Sequence, residues 1–161
     1  MEFLANAGTQ IAFIGAVLSV ALACAGSGRG VGLVGEAAAG VLSEDPNKFS
    51  QCLILQIIPG TQGLYGLVIW FFAMMKMGFF AGNMPELTIQ QGLGFLAACL
   101  AMGIGGMITA IAQGRTAAAA ISLIAKRPEE MSKGIIMAIM VEFYAILCLL
   151  ASFLMLNSMG V

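Results

Sequence analysis

Residues 3–28, 49–75, 87–114 and 134–161 form four long stretches in which Glu142 is the only charged side chain. Each exceeds the roughly 20 apolar residues that cross a bilayer as an α-helix. A backbone in hydrocarbon has no water to bond, so a stretch of this length satisfies its own N–H and C=O groups by coiling. The chain has 60% hydrophobic and 9% charged residues, no histidine, and a mean hydropathy of +0.99, so lipid rather than water meets most of its surface. The expected fold is an all-α membrane domain of four transmembrane helices. Almost nothing is left over for a soluble domain with a catalytic pocket, so the chain is not expected to be an enzyme on its own.

The cations set the orientation. Arg29, Lys48, Arg115, Lys126, Arg127 and Lys133 gather around two loops, near residues 43–48 and 125–133, while Lys76 lies toward the other side. The positive-inside rule makes those loops cytoplasmic and puts both termini outside a bacterial cell membrane. Glu2 precedes the first apolar run and no cation does, so that run is expected to be a resident helix rather than a cleaved signal. Cys24, Cys52, Cys99 and Cys148 stand singly, without CxxC spacing, and are expected to be small buried hydrophobes.

Sliding the chain by 82 residues lays Pro46 on Pro128, Gly32 on Gly114, Ala37 and Ala38 on Ala119 and Ala120, and Ile54 and Ile57 on Ile136 and Ile139. This reads as a duplication into two parallel hairpins, residues 1–80 and 81–161, the second carrying Glu142. Gly15, Ser19, Ala23 and Ser27 recur every four residues, and the same offset reaches Ala97, Ala101, Gly105 and Thr109. Apolar helices in lipid gain little by merely meeting, so close approach over small residues supplies much of their association. Helices 1 and 3 are therefore expected to pack tightly at the narrow edge of a wedge, with bulkier helices 2 and 4 outside. Wedges of this kind can close around an axis into a homo-oligomeric ring.

Glu142 lies nine residues past Lys133, about 13 Å along a helix and deep in the bilayer. Acidic or basic groups at a helix centre cost about 2.5–3.5 kcal/mol on insertion scales, so such a carboxylate is by default functional. Under the 82-residue offset Glu142 falls on Gly60, Gln113 on Val31, Thr61 on Phe143 and Tyr65 on Leu147; only Gln62 meets a polar partner, Tyr144. One complete site per chain is expected. Ile58, Thr61, Gln62 and Tyr65 share a helical stripe, and Pro59 beside Gly60 is expected to kink that helix and turn carbonyls toward a ligand. The Thr61 hydroxyl, the Gln62 and Gln113 amides and the Glu142 carboxylate are hard oxygen donors with a single negative charge. That set suits Na⁺, Li⁺ or a proton better than a divalent metal. Tyr65 is placed to donate its hydroxyl hydrogen to Glu142.

The run Leu55-Gln56-Ile57-Ile58-Pro59-Gly60-Thr61-Gln62-Gly63-Leu64-Tyr65-Gly66, with Ala112-Gln113-Gly114 and Val141-Glu142, closely resembles the rotor-ring proteolipids (subunit K) of bacterial sodium-type V-ATPases. The similarity runs from about Ala16 to the C-terminus. It implies a membrane ring turning against a stator subunit that supplies an arginine, driven by ATP hydrolysis elsewhere in the complex. It also implies one Na⁺ or H⁺ per chain, held by Glu142, Thr61, Gln62, Gln113 and the Ile58 backbone oxygen, with Tyr65 locking the glutamate. Phe143 departs from the small polar residue expected there. The implied partners are identical subunits, the stator, central-stalk subunits at the cytoplasmic loops, and lipid.

Arg29 and Arg115, at the cytoplasmic ends of helices 1 and 3, are expected to snorkel toward headgroups rather than meet a stalk protein. The glycine-rich run 26–32 lacks the GxxxxGK[ST] pattern and a preceding strand, so nucleotide binding is not expected, nor is nucleic acid. The alternative function is a small four-helix secondary cation exporter, which would frame a bulky cation with aromatic rings. A purely structural pore-forming proteolipid would give Glu142 no protection by sodium.

Overall fold

A computed structural model describes residues 6–82 and 86–160. The N-terminal segment with Glu2 lies outside the described residues. Among the described residues four helices are long and apolar enough to cross a membrane: α1 (Ala7–Glu44), α2 (Pro46–Lys76), α3 (Ile89–Lys126) and α4 (Pro128–Ser158). Pro46 and Pro128 open α2 and α4, where a missing N–H and a fixed φ suit a first helical turn. Before α2 the Asp45 carboxylate accepts from Asn47 N–H at 3.1 Å. Before α3, Thr88 and Gln91 form a reciprocal capping box.

α1 and α3 are 38 residues each, about 57 Å at 1.5 Å per residue. A hydrocarbon core of about 30 Å leaves their C-terminal turns beyond the lipid. The charge-free runs ending at Gly28 and Gly114 therefore mark the membrane part of each helix rather than its end. Lys48 reaches from the start of α2 to the Ala125 carbonyl at 2.7 Å, and Gln51 to the Pro128 carbonyl at 3.3 Å, tying the two loops together. At the opposite end Lys76 donates to the Asn157 and Met159 carbonyls, closing α2 against the last turn of α4.

The most extensive contact in the chain is between the parallel helices α1 and α3. Its register is set by glycine: a Cβ on Gly8, Gly15, Gly26 or Gly30 would strike α3 or the segment leading into it, and one on Gly92, Gly103 or Gly114 would strike α1. The expected tight packing of helices 1 and 3 is present, with Gly15 of the four-residue ladder in it, but most of that ladder also has a second partner. Ser19, Ala23 and Ser27 face α2: Ser19 Oγ donates to the Gly66 carbonyl at 3.0 Å, Gly63 N–H donates to Ser27 Oγ at 2.8 Å, and Gly66 packs on Ala23. Gly105 likewise faces Cys148 of α4, and Ala97 is exposed. The ladder residues thus serve both seams: Ser19, Ala23 and Ser27 hold α2 and Gly105 meets α4, while Gly15 and Ala23, with other glycines of α1 and α3, join the hairpins to each other.

Two apolar clusters fill the interior. One, around Ile69, Met74, Phe95, Met102 and Leu156, lies toward the Lys76 end; the other, around Val34, Leu55, Ala117, Ile121 and Ala138, lies toward the proline loops. α2 and α4 turn large side chains such as Leu64, Phe71, Met140 and Leu154 outward. The cysteine expectation holds in part. All four thiols are free, and Cys52 and Cys99 are buried, but Cys24 is exposed and Cys148 only half-buried.

Candidate ion-binding site

Between the two apolar clusters lies a polar layer built by α2, α3 and α4. Pro59 has no N–H to donate to the Leu55 carbonyl, and α2 tightens there into a 3₁₀ turn at Ile58–Gly60. The turn directs Thr61 N–H to the Ile58 carbonyl, and Thr61 Oγ donates to the same oxygen at 3.2 Å. Thr61 Oγ also lies 3.4 Å from Gln62 Oε1. The sequence-predicted kink is thus a local tightening that brings a carbonyl and a hydroxyl side by side.

Gln62 and Gln113 are both fully buried, so their amides must find partners inside the protein. Gln62 Nε2 donates to Gln113 Oε1 at 2.5 Å. Gln113 Nε2 donates to the Ala138 carbonyl at 3.1 Å and to Glu142 Oε2 at 3.4 Å. The Tyr65 hydroxyl donates to Glu142 Oε1 at 2.6 Å. Ile58, Thr61, Gln62, Tyr65, Gln113 and Glu142 therefore belong to one hydrogen-bonded chain, the six positions singled out from the sequence.

Glu142 is half-buried, and the ion pairs among the described residues, Lys48 with Asp45 and Lys133 with Glu130, are both at the proline loops. No group of three His, Cys, Asp or Glu side chains able to hold a metal occurs among the described residues. The layer offers one carboxylate and several neutral oxygens, and the Gln113 amide oxygen, which accepts a hydrogen bond from Gln62, has a second lone pair available for a cation. Phe143 and Tyr144 are exposed and point away from this layer. Sequence reasoning missed the Ala138 carbonyl, which one turn before Glu142 anchors Gln113; nothing in an alanine signals that role. It also missed Ser19 and Ser27 as the groups holding α2 by its backbone, because their spacing read only as packing.

The family of the ATP synthase C subunit matches the chain twice, over residues 14–73 and 96–155. The chain belongs to that family. The second match begins at residue 96 where the first begins at 14, the same displacement of 82 that superposes the two halves of the sequence. The chain is 45% identical over 150 residues to the V-type sodium ATPase subunit K of Enterococcus hirae, covering 93% of this chain and 92% of that protein. It is 36% identical over 143 residues to the A-type ATP synthase subunit K of Methanocaldococcus jannaschii, covering 89% of this chain and 60% of that protein. This member of the family is thus a membrane rotor component of an ion-translocating ATPase, whose catalysis belongs to other subunits.

Proposed function

We propose that the chain carries one Na⁺ per protomer at Glu142 and moves it across a bacterial cell membrane by rotation of the ring. The observation that carries this reading is the single membrane carboxylate joined by hydrogen bonds to a run of neutral oxygen donors. Glu142, Thr61 Oγ, Gln62 Oε1, Gln113 Oε1 and the Ile58 carbonyl are the ligands, and Tyr65 fixes the carboxylate. One negative charge balances one monovalent cation, and hard oxygens suit Na⁺. The name of the Enterococcus hirae relative, a sodium ATPase subunit, agrees with that cargo.

Turnover follows from electrostatics. A bare carboxylate facing lipid is an uncompensated buried charge, so a protomer can pass through lipid only with its site loaded or protonated. Release requires a polar interface, where a stator arginine pairs with Glu142 and displaces the ion. Each half of the chain, residues 1–80 and 81–161, acts as one hairpin, with both termini outside and the two proline loops facing a central stalk in the cytoplasm. Carbodiimide labelling of Glu142 across a pH series, with and without Na⁺, tests the cargo. Sodium-dependent protection at neutral pH is expected; labelling that depends on pH and ignores Na⁺ would make the cargo H⁺.

A further inference from the structure

Within the chain, Gly30 of α1 lies against Ala110 and Gly114 of α3. Carrying that contact forward by the 82-residue repeat replaces Gly30 with Ala112 on α3, and Ala110 and Gly114 with Gly28 and Gly32 on α1. Ala112 already looks outward and is exposed. Gly28 and Gly32 leave open space too, with nothing within 4 Å of where a Cβ would stand, unlike the glycines of the internal seam. The chain therefore presents, on opposite flanks, both halves of a seam it has already made once internally.

The two flanks also carry charges that can pair: Arg115 on the α3 flank, and Glu36 on the α1 flank, where Arg29 also lines the cleft beside Gly32. Arg115 stands three residues beyond Ala112 and Glu36 four beyond Gly32, spacings that keep each on the face of its small residue. α1 and α3 run parallel, so when Ala112 seats between Gly28 and Gly32 of another copy, Arg115 crosses Gly32 toward Glu36. Neither side chain is in an ion pair among the described residues. The equivalent places in the internal seam hold Leu33 and Ala118, which are uncharged. We propose that the α3 face of one copy docks on the α1 face of the next through Ala112, Gly28 and Gly32, with Arg115 and Glu36 of neighbouring copies forming an ion pair that marks the seam between copies. The charges distinguish joining a neighbour from pairing two like faces, since α1 against α1 sets Glu36 beside Glu36.

This inference rests on the ring reading, and the experiment separates the two. Arg115→Cys with Glu36→Cys in one chain, purified in mild detergent and treated with a short thiol cross-linker, is expected to give a ladder in steps of 16.7 kDa under denaturing conditions. Each single cysteine variant is expected to give no ladder, which controls for the four native thiols. An intact ring whose double variant stays monomeric, or in which Glu36→Cys alone gives dimers, overturns the docking and leaves the ring standing. A chain that purifies only as monomer overturns both. As a second readout, Arg115→Glu and Glu36→Arg are each expected to lower the temperature at which the ring dissociates, and the double reversal to restore it. Equal lowering in all three variants, with no restoration, overturns the ion pair.

Discussion

The two hairpins share one backbone plan and differ in what they place at its middle. In the second hairpin α4 carries Glu142, while the equivalent place on α2 is Gly60, inside the 3₁₀ turn that follows Pro59. The first hairpin lacks an acid there and carries Thr61, Gln62 and Tyr65, of which Gln62 bonds to α3 and Tyr65 to α4. A duplicated fold thus holds one shared site instead of two separate ones. The consequence is a ring with half as many membrane-embedded carboxylates as hairpins and a more richly furnished neighbourhood around each.

The sharpest way to break the comparison is to move the acid. Glu142→Gly with Gly60→Glu keeps one carboxylate per chain, and Gly60 has room for a side chain, with only Val31 Cγ2 at 3.8 Å from its Cβ position. We expect complete loss of sodium-protected carbodiimide labelling, because the offset counterparts of the partner residues, Val31 for Gln113, Phe143 for Thr61, Tyr144 for Gln62 and Leu147 for Tyr65, supply no amide. Protection regained at position 60 would show that the hairpins are interchangeable. Next in size, Gln113→Val makes α3 resemble α1 and strands the buried Gln62 amide. Leaving a buried polar group unpaired costs about 1–3 kcal/mol, so the sodium concentration for half-protection should rise by about 5- to 150-fold. Tyr65→Phe removes a hydrogen bond to a charged group worth about 1.5–3 kcal/mol, and a rise of about 10- to 150-fold is expected, with the ring intact on native gels. Thr61→Ala loses one neutral contact of about 1 kcal/mol, about fivefold in the same titration. Phe143→Ala, outside the network and exposed, should shift it by less than about twofold.

Much of the fold was legible because membrane burial writes itself into composition. The four charge-free runs correspond to four helices, and the offset that aligns Pro46 with Pro128 is the spacing at which the family pattern matches twice. The site was legible for a related reason: Glu142, Gln62 and Gln113 are polar where lipid makes polarity expensive, so their positions stand out one residue at a time. Packing was harder to read. The small-residue ladder from Gly15 to Ser27 is a contact face, yet most of it meets α2, and the α1–α3 seam draws on Gly26 and Gly30 as well as Gly15. Glycine and alanine ring these helices on several sides, and periodicity names a face without naming its partner.

What the sequence determined by itself was the solvent and the inventory: a lipid-embedded four-helix chain, duplicated, with one acid and a small set of oxygen donors. Only the tertiary structure decided that Gln62 bonds Gln113 and that Gln113 is anchored by the Ala138 carbonyl, whereas the bond from Tyr65 to Glu142 was already expected from the sequence. Hydropathy acts on each residue alone and survives in the linear order, whereas a hydrogen bond needs two groups at about 3 Å with the right angle between them. That geometry exists only after α2, α3 and α4 have settled their rotations against one another.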